Sequence, residues 1–175
     1  MSAYEDQTED LRRMKQDAYD FVVMLLDTGA RHTEIAELPC SAINLEKGTI
    51  TLYRPKVRNE SVLFMTDRVK RIVERRAESW EPDQKFLFSN KQGGARNYSP
   101  RAFTSACRRA GLENVSFHTL RHTFCSRLVA NGATLYEVQQ LVGHSTPTMT
   151  QAYAHLLPNL ASSKATSILN KLQST

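Results

Sequence analysis

Residues 48–65 hold two runs rich in β-branched and aromatic side chains, Gly48 to Tyr53 and Ser61 to Met65, on either side of a polar stretch containing Arg54, Lys56 and Arg58. Two such runs joined by a polar connection predict two antiparallel strands. Elsewhere the apolar residues recur at helical steps. Leu11, Met14, Ala18, Phe21, Val22, Leu25 and Leu26 mark an amphipathic helix that ends near Thr28 and Gly29. Residues 33–38 read as a short second helix carrying Glu34, and 67–79 as a third, broken at Trp80-Glu81-Pro82-Asp83 before the apolar stretch Phe86 to Phe88. The pattern predicts a mixed α+β fold, mainly α-helical, with a small antiparallel sheet.

The second half of the chain reads as helix throughout. Gly93-Gly94 sits in a flexible polar loop, and Ser99-Pro100 has the form of an N-cap followed by proline at the first helical position, opening a helix to about Gly111. Another helix begins near His118. Thr134 with Glu137 has capping-box spacing for a helix ending at Gly143, and Thr146-Pro147 opens the next, which is expected to carry Tyr153. Residues 159–172 form a last amphipathic helix. There is no internal repeat or linker, and 175 residues suit one domain that buries roughly 70% of its unfolded surface.

Charge narrows the function only a little. Lys and Arg number 23 against 18 Asp and Glu, for a net charge of +5, which fits a polyanionic partner but is common among proteins without one. Basic residues bunch at Arg12-Arg13, Arg54 to Arg58, Arg71 to Arg76 and Arg108-Arg109. Such a run is ordinarily a solvated face, so contact is expected only where it adjoins a motif. Cys40, Cys107 and Cys125 are odd in number and scattered, without metal-ligand spacing, and read as core or boundary residues in a reducing compartment. Phe21 to Leu26 is too short for a membrane span, and no signal peptide stands out.

Five residues carry chemistry: Arg31 in TGARHTEI, His118 and Arg121 in HTLRHTF, His144 in LVGHS, and Tyr153 in QAYAH. His118 and Arg121 stand three apart, so on a helix both face one phosphate. Arginine's planar fork holds two phosphate oxygens at once. A tyrosine attacking a phosphodiester needs such cations, because the five-coordinate state gains negative charge on its non-bridging oxygens.

These motifs, in this order from about Phe21 to His155, resemble the catalytic domain of the tyrosine recombinases, the phage integrase family. The resemblance implies that family's catalytic fold, with the sheet at one edge, and site-specific cutting and rejoining of DNA in integration or excision. It implies that Arg31 and Arg121 clamp the non-bridging oxygens, that His118 handles a proton or hydrogen bond beside the nucleophile, and that His144 donates a further bond. Tyr153 is the nucleophile that takes the DNA 3′ phosphate. The general acid for the leaving 5′ oxygen is a lysine on the β-hairpin, the place Lys56 occupies. Arg58 is close by, but arginine does not give up its proton near neutrality. Glu34 is a structural partner of a basic group, while Arg54 and Arg58 are candidate DNA contacts. No metal or nucleotide cofactor is implied, since bond energy is kept in the phosphotyrosine.

The resemblance also implies double-stranded DNA as partner, a homo-tetramer on paired sites, accessory DNA-bending proteins, and the cytoplasm of a bacterium, its phage or a mobile element. Family members commonly carry N-terminal core-binding and arm-binding domains, which residues 1–175 do not show, and a C-terminal segment that docks on a neighbouring subunit. Ile168, Leu169 and Leu172 supply an apolar face for such docking, or for folding back onto the chain's own core. Two other functions stay open: relaxation of supercoils by type IB topoisomerase chemistry, and DNA binding by a non-catalytic regulator. His32, His122 and His155 read as ordinary surface or core residues, and Tyr4, Tyr19, Tyr53, Tyr98 and Tyr136 as packing or surface tyrosines.

Overall fold

The computed structural model describes residues 3–54, 59–144, 146–157 and 161–173. Backbone contacts divide the chain into two compact units, Met1–Phe124 and Cys125–Thr175. The first opens with helix α1, Ala3–Thr28. Its buried face is Phe21, Val23, Met24 and Leu25, together with Asp20 at 1% exposure. The helical period of the sequence is real, but Leu11 and Met14 stay exposed. Periodicity reports a face; it cannot report whether anything lies opposite it. Gly29, at φ 61, closes the helix, its N–H donating to the Leu25 carbonyl at 3.1 Å.

After α2, His32–Ala36, and a 3-10 turn at Cys40–Ala42, three strands form the sheet: β1 Ile43–Asn44, β2 Thr49–Arg54 and β3 Asn59–Phe64. They are antiparallel in the order β1-β2-β3, with Ile50 opposite Leu63 and Thr51 opposite Val62. The pleat sends alternate side chains to opposite faces. Ile50, Leu52 and Leu63 enter the core, whereas Tyr53, Val62 and Phe64 face out. Strand β3 begins at Asn59, two residues before the predicted run, because pairing with Tyr53 and Arg54 extends the ladder past the β-branched residues. Lys56 and Arg58 lie outside the described residues.

Helix α3, Asp67–Ala77, is capped by Thr66, whose Oγ1 accepts from Val69 N at 3.3 Å. It is tied to α1 by charge. Arg75 Nη2 donates to both Asp20 oxygens at 2.6 Å, Arg76 Nε reaches the same carboxylate at 2.9 Å, and Arg76 Nη2 reaches Asp17 at 2.6 Å. A carboxylate as buried as Asp20 is tolerable only with such partners, and removing one side of a buried pair costs about 3–5 kcal/mol. Phe86 to Phe88 makes no strand of its own. Phe86 bridges Pro39, and Leu87 N donates to the Leu38 carbonyl at 2.9 Å.

Ser99 caps α4, Pro100–Arg109, and α5 follows at Phe117–Ala130. An aromatic cluster joins these parts: Phe21 stacks on Tyr98 with centroids 3.8 Å apart and meets Phe88 and Phe117 edge-on, while Phe103 stacks on Phe117 at 4.4 Å. In the second unit lie α6, Leu135–Val142, α7, Pro147–Gln151, and α8, Ala161–Gln173. The capping box is present, with Glu137 N donating to Thr134 Oγ1 at 3.2 Å and Thr134 N to Glu137 Oε2 at 2.7 Å. Among the described residues no helix is long and apolar enough to cross a membrane, and no three His, Cys, Asp or Glu gather as metal ligands.

Candidate active site

Two of the motif residues are assembled by the end of α1. Arg31 is the N-cap of α2, and Glu34 holds it twice: Arg31 N donates to Oε2 at 2.8 Å and Arg31 Nη1 to Oε1 at 2.7 Å. One carboxylate therefore fixes both the backbone and the guanidinium of Arg31. Arg121 comes from α5, with only 4% of its surface exposed, and its Nη1 donates to the Gly29 carbonyl at 2.6 Å. Gly29 stands two residues before Arg31. The bond thus brings the second guanidinium to the turn that presents the first, although the two residues are far apart in sequence.

His118 lies one turn back on α5 from Arg121. Its pKa is lowered from the usual histidine value by desolvation first, then by the charges of His122, Arg121 and Arg31. Arg31 and Arg121 are both among the charges that disfavour protonation of this imidazole. A lowered pKa keeps the ring neutral near pH 7, able to accept a proton. The His118 and His122 rings sit edge to face, centroids 4.4 Å apart.

Three contributors were not singled out by the sequence. His32 stacks on Phe117 at 5.4 Å, steadying α2 against the start of α5. The Gly29 carbonyl anchors Arg121. Phe124 fills the space that a side chain at Gly29 would need, its Cδ1 lying 2.3 Å from the point where a Cβ would stand. The glycine before the arginine box was legible as a helix stop; its second task depends on a helix nearly a hundred residues later.

The second unit holds His144 and Tyr153. His144 follows Gly143, whose left-handed φ of 63 ends α6, and its Nδ1 shares a 2.8 Å hydrogen bond with the Thr150 hydroxyl. Thr150 is itself 1% exposed, so the ring is held by a fixed partner. Tyr153 differs from expectation. It is not carried on the helix opened by Pro147, which ends at Gln151; it caps a 3-10 turn, Ala154–Leu156, at φ −97 and ψ −1. Thr150 and Tyr153 close a tight turn through Tyr153 N to the Thr150 carbonyl at 3.0 Å. The Tyr153 residue is 5% exposed. Of the other candidates, Arg54 ends β2, and its side chain, like Lys56 and Arg58, is outside what is described.

The phage integrase family model matches residues 3–159. This chain belongs to the phage integrase family. Tyrosine recombinase XerD of Rhizobium meliloti is 35% identical over 144 residues, covering 78% of this chain and 46% of XerD. The integrase-family chain thus spans about half the length of the curated relatives it matches. Its fold is that of solved family catalytic domains. The catalytic domain of bacteriophage HP1 integrase aligns at a TM-score of 0.63 and 27% identity, over 85% of this chain and 79% of that one. The Tn1549 transposon integrase, solved with a circular intermediate DNA, aligns at 0.71 and 21% identity over 89% of this chain and 59% of that one. At that identity the likeness is one of fold.

Proposed function

We propose that this integrase-family chain carries the catalytic machinery of a site-specific recombinase, which cuts and rejoins double-stranded DNA through a 3′-phosphotyrosine during integration or excision. The observation that carries the reading is the Arg121 bond to the Gly29 carbonyl, beside Arg31 with its Glu34 brace. It supports a reading in which the two guanidiniums and the His118 imidazole serve one anion site. In the reaction, Tyr153 Oη attacks the phosphorus and loses its proton to His118, while the bond to the 5′ oxygen breaks and that oxygen takes a proton from Lys56. Arg31 and Arg121 hold the non-bridging oxygens as charge builds, with His144 donating a further bond. A 5′ hydroxyl from another strand then attacks the phosphotyrosine, frees Tyr153 and restores the diester.

The reading extends to a homo-tetramer on paired sites, aided by DNA-bending proteins, in the cytoplasm of a bacterium. Exposed Leu169 and Leu172 on α8 supply the apolar side chains for docking between copies. Nicked suicide duplexes drawn from DNA flanking the gene test the chemistry. The expected product is a covalent protein–DNA adduct that resists boiling in detergent and is absent in Tyr153→Phe. No adduct with any duplex, or one that persists in Tyr153→Phe, would sink the assignment. Relaxation of supercoiled plasmid without exchange between sites would favour the topoisomerase reading instead.

A further inference from the structure

Away from the residues assigned to catalysis, the first unit contains a cavity of about 1530 Å³ between the first half of α1, the end of α3 and the 84–96 segment. Its walls are strongly basic. Arg12, Arg13, Arg75, Arg76, Lys91 and Arg96 line it, against the carboxylates of Glu9 and Asp17. Asp17 stands about three turns before Thr28, so the groove's centre is roughly 16 Å along the helix axis from the Arg31 turn.

Three of these guanidiniums are already aimed. Asp17 and Asp20 grip Arg76, Asp20 grips Arg75 and Asp17 grips Arg96; Arg76 also lies over the Phe88 ring at 4.3 Å, and Arg96 over Tyr98 at 5.3 Å. Arg75 meets both Asp20 oxygens through Nη2, and 48% of its side chain remains exposed. A guanidinium held along one edge presents its remaining donors at little entropic cost, which is how arginine binds oxyanions well. Beside these cations, Met14 is 54% exposed.

Shape and composition select the ligand. A duplex is convex and meets cations that project from a surface, and its phosphate ridge offers nothing to a methionine. A peptide fits a concave groove and can bring carboxylates and an apolar side chain together. We propose that this groove docks an acidic segment of a partner protein, with carboxylates taken by Arg12, Arg13, Arg75 and Lys91 and an apolar side chain packed on Met14. The site lies outside the residues assigned to DNA cleavage, so a partner seated there can recruit or restrain the protein without occupying its phosphate site.

The test uses the full chain and a short fluorescent peptide of glutamates interspersed with leucines, followed by anisotropy. A glutamine counterpart and a labelled duplex of arbitrary sequence serve as comparators. The glutamate peptide should bind, the glutamine peptide should not, and added salt should weaken the complex. Arg12→Glu combined with Arg13→Glu, and separately Lys91→Glu, change side chains that do not hold buried Asp20. Each should weaken peptide binding by about tenfold or more. The proposal is overturned if the glutamate peptide fails to bind at low salt, if both variants bind it as the parent does, or if they weaken duplex binding while leaving peptide binding intact. The last result would make the groove a second nucleic-acid surface.

Discussion

The two units hold their candidate catalytic groups by different means. In the first, Arg121 reaches across 92 residues to the Gly29 carbonyl, and Arg31 is braced by a carboxylate that also caps its helix. In the second, His144 is held by Thr150 six residues on, and Tyr153 sits in a turn closed by Thr150. The candidate anion site is thus a product of tertiary folding, while the proposed nucleophile and its histidine are placed by a stretch of ten residues. Damage to the first should therefore spread to the fold, and damage to the second should stay local.

The sharpest separation comes from Arg121→Ala. Removing a preorganised donor to a developing oxyanion costs about 3–4 kcal/mol, or roughly 100- to 1000-fold in the rate of adduct formation. Because Arg121 is buried on the Gly29 carbonyl, its loss should also lower the melting temperature. A full loss of cleavage with unchanged thermal stability would show that Arg121 is not the tertiary tie inferred above. Gly29→Ala attacks the same tie from its other end. Its φ of 61 and the 2.3 Å approach of Phe124 leave no room for a methyl group. Overpacking should cost about 1–3 kcal/mol, read as a lower denaturation midpoint at unchanged slope.

Thr150→Val is the matching probe of the second unit. It keeps the shape of a buried side chain and deletes the hydroxyl that His144 Nδ1 meets at 2.8 Å. A net hydrogen bond of about 0.5–1.5 kcal/mol predicts a loss of roughly two- to tenfold in cleavage. The melting temperature should fall less than in Gly29→Ala. A larger global destabilisation than Gly29→Ala would break the contrast between the two units.

That contrast also explains what could be read from the residues alone. The HxxR pair, the capping box at Thr134 and the stop at Gly143 depend on neighbours within a few residues, so their local geometry was legible. The expectation that Glu34 serves a basic group was equally local, and its partner is Arg31. The Gly29 carbonyl and the ring of His32 on Phe117 were not legible, since each partner lies in a helix far along the chain. Tyr153 failed differently. Proline at position 147 signals where a helix begins, but nothing in that signal limits its length, and α7 stops at Gln151 before the tyrosine. The basic groove was half visible: the arginine runs were plain, but the Asp17 and Asp20 grip that organises them required α1 and α3 side by side.

The finest probe of the first unit is His122→Gln, which removes one neighbour without touching the guanidiniums. His122 is among the groups that lower the pKa of His118, after desolvation and ahead of the two arginines. With that contribution gone, His118 should titrate at higher pH. A base acts in its neutral form, so the acid limb of the cleavage profile follows this titration, and activity in the variant should begin to fall at a higher pH than in the parent. The stability effect runs in the opposite sense. A histidine whose folded pKa lies below its unfolded value opposes folding as pH falls past the unfolded value, so the variant should lose less stability on acidification. Proton NMR of the imidazole and single-turnover cleavage across pH would read both. If the His118 titration moved upward while the cleavage profile stayed fixed, His118 would be a hydrogen-bonding bystander and the proton from Tyr153 would need another acceptor.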